Sequence, residues 1–249
     1  MSKDLLIDIG VEELPSSYMD ELFNLLSFSF SSFLNENYIG RNGEEVFLTP
    51  RRMIFTAKNV AEKQNTPEKE IKGPPKNIAL AEDGSPTKAL TKFLEKCNAD
   101  NWYVKATKEG EYIFCSNAQE NLETRIIIEN KFPTFLLNLA YSKKMRWDGV
   151  IFIRPIRWIV SLLGEDIINL EICGVKGGRI EKGLRGYPEI NVENASNYKE
   201  LMANNRVIIS SADRMNMIKE RLSSFKEDIL IENVNITEFP VCVNGKFEK

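Results

Sequence analysis

Apolar and polar positions divide the chain into short elements. Leu5 to Ile9 reads as a buried strand that ends at Gly10. After the tight, charged connection Val11-Glu12-Glu13-Leu14-Pro15, the residues Met19, Leu22, Phe23, Leu26, Phe30, Phe33 and Leu34 recur at helical spacing. That spacing predicts a helix capped by Ser17 and running to about Asn35. Strands follow at Glu45 to Leu48 and Met53 to Val60, joined by Thr49-Pro50-Arg51-Arg52. From Ala61 to Lys76 the composition shifts to Lys, Glu, Gln, Asn and Pro, which predicts a linker or exposed loop. Asp83-Gly84 marks a turn, with Ser85 as an N-cap and Pro86 at the first position of a helix reaching about Cys97. Trp102 to Thr107 and Glu111 to Ser116 form a predicted hairpin turning at Lys108-Glu109-Gly110.

Leu122 to Ala140 is helical in pattern, broken or offset at Pro133. Lys143 to Trp147 leads into a strand at Val150 to Ile153, and Pro155 opens a further helix with Ile156, Ile159, Val160 and Leu163 on one face. In that helix Arg157 lies about 200° around from Ile159, away from the core. Strands are expected near Ile167 to Cys173, Arg179 to Leu184, Ile190 to Val192 and Arg206 to Ser210, with helices at Asn197 to Asn204 and Asp213 to Phe225. The last residues, Phe239 to Lys249, carry an apolar strand pattern without an evident partner, as in a sequence cut short. Helices and strands mix without regular alternation, so the fold class is α+β, with mixed sheets and packed helices. The division expected is a main body of residues 1–65 and 120–249 with a smaller helix-plus-hairpin lobe at 66–119.

Composition narrows the chemistry. No apolar run approaches the roughly 20 residues of a membrane helix, and Met1-Ser2-Lys3-Asp4 lacks signal-peptide features, so a cytoplasmic protein without a membrane partner is expected. The 4 cysteines are scattered, with no C-x-x-C pair, and each is expected to be a buried free thiol. Histidine is absent. Its absence excludes Ser-His-Asp and Cys-His hydrolysis and H-E-x-x-H zinc sites within this chain, so no catalytic residue and no metal site is assigned. A net charge of -3 argues against nonspecific coating of nucleic acid, while leaving room for a local basic face.

Several residues remain as candidates. Glu12 and Glu13 point to opposite faces of an extended chain and either bind arginine, cap the next helix or contact a ligand. Arg51 and Arg52 can clamp phosphate or satisfy buried carboxylates. Lys72 and Lys76 flank the stiff Gly73-Pro74-Pro75 and serve either a solvated connector or an RNA contact. Gly174 to Gly178 has the wrong spacing for a phosphate loop and reads as a hairpin or loop. The strongest local signal is Lys143, Lys144, Arg146, Arg154 and Arg157 gathered around Trp147 and Trp158. Arginine pairs with phosphate and tryptophan stacks on bases, although Trp158 is better read as a core residue.

Taken in order, these segments resemble a known family. Asp8-Ile9-Gly10-Val11-Glu12-Glu13-Leu14-Pro15 resembles the opening of bacterial glycyl-tRNA synthetase β subunits. Thr49-Pro50-Arg51-Arg52, Lys72-Gly73-Pro74-Pro75 and Gly84-Ser85-Pro86-Thr87-Lys88-Ala89 are similar to further family motifs, as are Lys144-Met145-Arg146-Trp147 and Arg154-Pro155-Ile156-Arg157-Trp158. The family has histidine where Arg157 stands, and it has Thr, His and Phe where Glu181, Leu184 and Gly186 stand. The resemblance implies the N-terminal portion of a subunit of an α2β2 enzyme that attaches glycine to its tRNA. ATP and glycine would be held by the α subunit, with no cofactor in this segment. It also implies glycine tRNA and the α subunit as partners, a B3/B4-like fold, and a role in tRNA binding and assembly rather than in the chemical step. A purely structural docking module and a vestigial editing-type domain are the alternatives. The basic residues named above, Arg51, Arg52, Lys72, Lys76, Lys143, Lys144, Arg146, Arg154 and Arg157, are the candidate tRNA contacts.

Overall fold

The computed structural model describes residues 2–67, 69–81, 84–97, 101–107, 110–117, 121–147, 149–222, 241–243 and 246–248. The chain divides into two compact units, Met1–Gln64 with Leu122–Lys249, and Asn65–Asn121.

The first unit begins with β1 (Ser2–Val11), α1 (Met19–Glu36), β2 (Gly43–Thr49) and β3 (Arg52–Ala61). Ser17 does not cap α1; it lies in a 3-10 turn, Ser16–Tyr18, with no side-chain cap. In the second unit, β4 (Lys69–Pro75) leads through one helical turn, α2 (Lys76–Ala79), to α3 (Lys88–Cys97) and the hairpin β5 (Trp102–Thr107) and β6 (Gly110–Asn117). The linker expected at Ala61 to Lys76 is therefore partly a strand, on the edge of the sheet β4-β6-β5. An edge tolerates the charges and prolines that obscured it. Helix α3 starts after Ser85 and Pro86, because Pro86 bridges to Leu80 while the Thr87 hydroxyl bonds the carbonyls of Ile78 and Ala79. Ala79, Leu90 and Ile113 form this unit's own core. A Cβ on Gly73 would stand 2.5 Å from the Phe93 ring, so only glycine lets α3 close on β4 there. Cys97 and Cys115 are buried thiols. The turn residues 108 and 109 lie outside the described residues.

The first unit resumes with α4 (Thr124–Asn138), which runs through Pro133 rather than breaking there. A small hairpin follows, β7 (Met145–Trp147) and β8 (Val150–Phe152), then β9 (Ile156–Leu163), β10 (Asp166–Ile167), β11 (Glu171–Ile172) and β12 (Val175–Gly178). The helix expected from Pro155 is strand β9, at the centre of the seven-stranded sheet β11-β12-β9-β1-β3-β2, with β10 also on β9. Both faces of β9 are covered, so its apolar run is continuous and mimics a helix in pattern. The glycine-rich stretch is the β11–β12 hairpin, turning at Cys173 and Gly174 with φ of 53° and 77°. This pair of positive φ angles suits a two-residue turn that follows the strand twist. Cys173 is exposed there, which corrects the expectation of a buried thiol.

The pair β13 (Ile180–Glu181) and β14 (Ile190–Asn191) precedes α5 (Tyr198–Asn204) and α6 (Ser211–Leu222). No strand forms at Arg206 to Ser210; Val207 N–H bonds back to Met202 O at 2.8 Å, closing the end of α5. The strand pattern near the end of the chain finds its partner in itself, with β15 (Val241–Val243) antiparallel to β16 (Lys246–Glu248).

The period-2 alternation of β1 sorts its side chains between two cores. Leu5, Ile7, Ile9 and Val11 face α1 and α4, where Phe30, Phe33, Phe55 and Phe132 pack edge to face. Leu6 faces the second core with Ile54, Val160, Leu162, Tyr198 and Met202. Asp8 and Gly10 share that second face, which places a carboxylate inside the layer under α5.

Candidate functional site

The inner part of the site grows from Gly10. Its cross-strand neighbours are Arg52 on β3 and Trp158 on β9. A Cβ at Gly10 would sit 2.0 Å from the Trp158 ring, so the missing side chain lets that ring lie flat over the strand. Trp158 Nε1 donates to Glu181 Oε1 at 3.1 Å. Arg52 Nε donates to the same oxygen at 3.1 Å and lies 3.7 Å from Asp8 Oδ2, while its Nη2 donates to the Lys182 carbonyl. The Tyr198 hydroxyl donates to Asp8 and also meets Glu181 at 3.3 Å. Asp8 and Glu181 are each 0% exposed, and Arg52 is 6% exposed.

Two buried carboxyls against one guanidinium leave one charge too many for a low-dielectric interior. Burial first, and then the Glu181 charge, push the Asp8 carboxyl well above its ordinary range. Burial alone would lower the Arg52 guanidinium, but Glu181 and Asp8 hold it firmly protonated. Arg52 and Trp158 are thus internal residues, and neither offers a face to RNA.

The outer part lies where the end of β1 is clamped by backbone bonds. Val11 N–H bonds Arg51 O at 2.9 Å, Glu12 N–H bonds Pro155 O at 3.1 Å, and Leu14 N–H bonds Pro50 O at 2.7 Å. The β1–β9 register advances from Gly10↔Trp158 to Val11↔Ile156, which leaves Arg157 as an extra residue on β9. Such a bulge re-aims its side chain, and here it brings Arg157 Nε within 3.2 Å of Glu12 Oε1. Arg185 Nη2 reaches Glu13 Oε1 at 3.0 Å and Glu12 Oε2 at 4.0 Å. Arg154 Nε donates to the Glu13 carbonyl at 2.8 Å. Arg51 lies over the Trp158 ring, 5.5 Å from its centroid, and its buried Nε has no hydrogen-bond partner among the described residues. Burial and the neighbouring Arg185 charge lower its pKa.

Lys143 Nζ donates to Ser17 Oγ at 3.0 Å, and Lys144 and Arg146 are exposed beside it. Arg154 Nη1 contacts Met145 Sδ at 3.3 Å, which ties the β7–β8 hairpin to the same cluster. Lys72 and Lys76 belong to the second unit, where Lys72 Nζ stands 3.8 Å above the Tyr112 ring and Lys76 pairs with Glu111 at 2.8 Å. Sequence reasoning missed Arg185, Asp8, Glu181 and Tyr198. For Asp8 the signal was available, as a carboxylate amid continuous apolar residues needs a buried partner.

A cleft of about 430 Å³ between α1, the edge strand β2 and the start of α6 carries Asp20, Glu44 and Glu45 around Phe23 and Phe47. Its acids make it unsuited to phosphate. Among the described residues there is no group of three or more His, Cys, Asp or Glu placed to hold a metal, and no helix long and apolar enough to cross a membrane.

Fold and site together define an α+β module with a solvent-facing cluster of arginines paired to Glu12 and Glu13. Residues 5–249 match the family described as glycyl-tRNA synthetase beta subunit, and the chain belongs to it. Over its whole length it is 36% identical to the glycine–tRNA ligase beta subunit of Bacillus subtilis and 32% identical to that of Dictyoglomus thermophilum. Over 98% of its length it is 33% identical to the same subunit of Thermotoga petrophila. The chain spans 38–39% of the length of these relatives.

Proposed function

We propose that this chain serves, in the cytoplasm, as the N-terminal part of the β subunit of the ligase that joins glycine to its tRNA at the expense of ATP. It contributes tRNA binding and assembly with an α subunit, in an α2β2 enzyme, and leaves the chemical step to α. The observation that carries this reading is the family match across residues 5–249. The basic cluster supports its RNA-facing part: Lys143, Lys144, Arg146, Arg154 and Arg157 come from β7, β9 and the segments before them.

Removing the charges of Lys143, Lys144 and Arg157 together should weaken tRNA binding by the assembled enzyme without unfolding the chain. Each phosphate no longer neutralised should lower the slope of log affinity against log salt by about 0.7 to 0.9. An unchanged affinity and slope would leave the cluster a structural feature. The purified chain without α should show no glycine-dependent pyrophosphate exchange, and measurable exchange would overturn the division of labour.

A further inference from the structure

We infer that Glu12 and Glu13 are internal stand-ins for an RNA phosphate, holding the guanidinium groups of Arg157 and Arg185 beside Arg51 until a phosphodiester displaces them. The inference rests on the RNA-binding reading above and specifies how that surface engages.

The cluster carries unbalanced charge. Arg51, Arg154, Arg157 and Arg185 gather around Glu12 and Glu13, four positive charges against two negative, so the cluster keeps an excess of two. Arg51 makes no ion pair among the described residues, and its buried Nε–H is left without an acceptor. A buried donor without a partner is costly, so the Arg51 guanidinium is the group of the cluster with most to gain by turning toward a phosphate oxygen, a strong acceptor.

Carboxylate and phosphate present similar oxygen pairs to a guanidinium fork, so a site built for one accepts the other. Glu12 is held rigidly by its own backbone bond to Pro155, and the chain on either side is bonded to Arg51 and Pro50. The arginines are thereby pre-gathered around a fixed point. The pairs are nevertheless open to solvent, with side chains of Arg157 and Arg185 58% and 65% exposed. Pairs so exposed are weak and exchange readily. The buried Arg52–Glu181 pair just beneath is sealed in and cannot exchange.

The consequence is counterintuitive. Neutralising Glu12 and Glu13 should strengthen RNA binding rather than damage the site. The test uses Glu12→Gln/Glu13→Gln, Arg185→Met and wild type, titrated with a glycine tRNA transcript and, separately, with inorganic tripolyphosphate across a salt series. The acid-to-amide variant should bind the transcript several-fold more tightly, and Arg185→Met several-fold more weakly, with melting temperatures close to wild type. Unchanged transcript affinity for the acid-to-amide variant would overturn the exchange, as would weaker binding, even while Lys143→Ala/Lys144→Ala still weakens it and the RNA-binding reading stands. Tripolyphosphate binding with this residue dependence, in a chain that ignores the transcript, would mark a free-phosphate site and overturn the RNA assignment. Binding of neither probe would overturn the inference and the RNA-binding reading together.

Discussion

Arg51 and Arg52 are sequence neighbours with opposite situations. Arg52 points inward at the start of β3, where Asp8, Glu181 and two backbone carbonyls consume its donors. Arg51 points outward at the β2–β3 turn, lies over the same Trp158 ring, and keeps a donor unused. A single indole therefore borders both a sealed ionic network and an open one. The lesson is that arginine in a motif carries no role by itself. The boundary between turn and strand decides which of two adjacent guanidiniums is carried into the layer by β3 and which stays outside the buried network.

The sharpest way to break this contrast is Arg52→Met. It keeps much of the volume but strands two buried carboxyls, and losing one partner of a buried pair costs about 3–5 kcal/mol. Urea unfolding should show that loss; a cost below about 1 kcal/mol would mean that the inner network is solvated after all. Gly10→Ala attacks the same network through its packing. The new Cβ would enter the Trp158 ring at 2.0 Å. Overpacking of this kind costs about 1–3 kcal/mol, and the Trp158 fluorescence should shift with it.

How much of the molecule is legible in the sequence follows the same divide between local and long-range causes. The amphipathic helix α1 and the hairpins β2–β3 and β5–β6 follow from local pattern, because one face of each meets a core and the other meets water. Strand β9 does not, since burial on both faces erases the alternation that distinguishes strand from helix. Its length of 8 residues and its bounds, Pro155 and Gly164, are the available clue. Taking β9 for a helix also misplaces Arg157, which is exposed because of a bulge and not because of a helical angle. The basic residues of the outer cluster are visible as composition, but Arg185 is not. Its partners lie 172 and 173 positions away, so nothing local announces them.

The pH response separates the two networks at smaller amplitude. Asp8 is raised above its ordinary value of 3.8 by burial and by Glu181. The folded chain thus retains a proton that the unfolded chain releases. The stability tied to this group is fully present below pH 3.8 and is lost as pH rises through the folded value. Unfolding free energy should fall with rising pH more steeply in wild type than in Asp8→Asn, which cannot ionise. Parallel curves would show that Asp8 does not retain a proton in the folded chain.

The smallest stability effect is expected at Arg51, and it is the one that tests the comparison most directly. Arg51→Met retains an apolar stem over Trp158 and removes only the charged head. That head has no ion pair among the described residues, a buried donor without an acceptor, and a like charge, Arg185, close enough to depress its pKa. None of these stabilises the free chain. The substitution should therefore change unfolding free energy by no more than about 0.5 kcal/mol, in either direction, as surface replacements do. If Arg51 meets a phosphate, the same substitution should lower the salt slope of tRNA binding by about 0.7 to 0.9. Adjacent residues of one type would then divide cleanly, with Arg52→Met destabilising the chain and Arg51→Met sparing the fold while weakening RNA binding. A stability loss at Arg51 comparable to that at Arg52, with no change in salt slope, would show instead that both guanidiniums serve the fold.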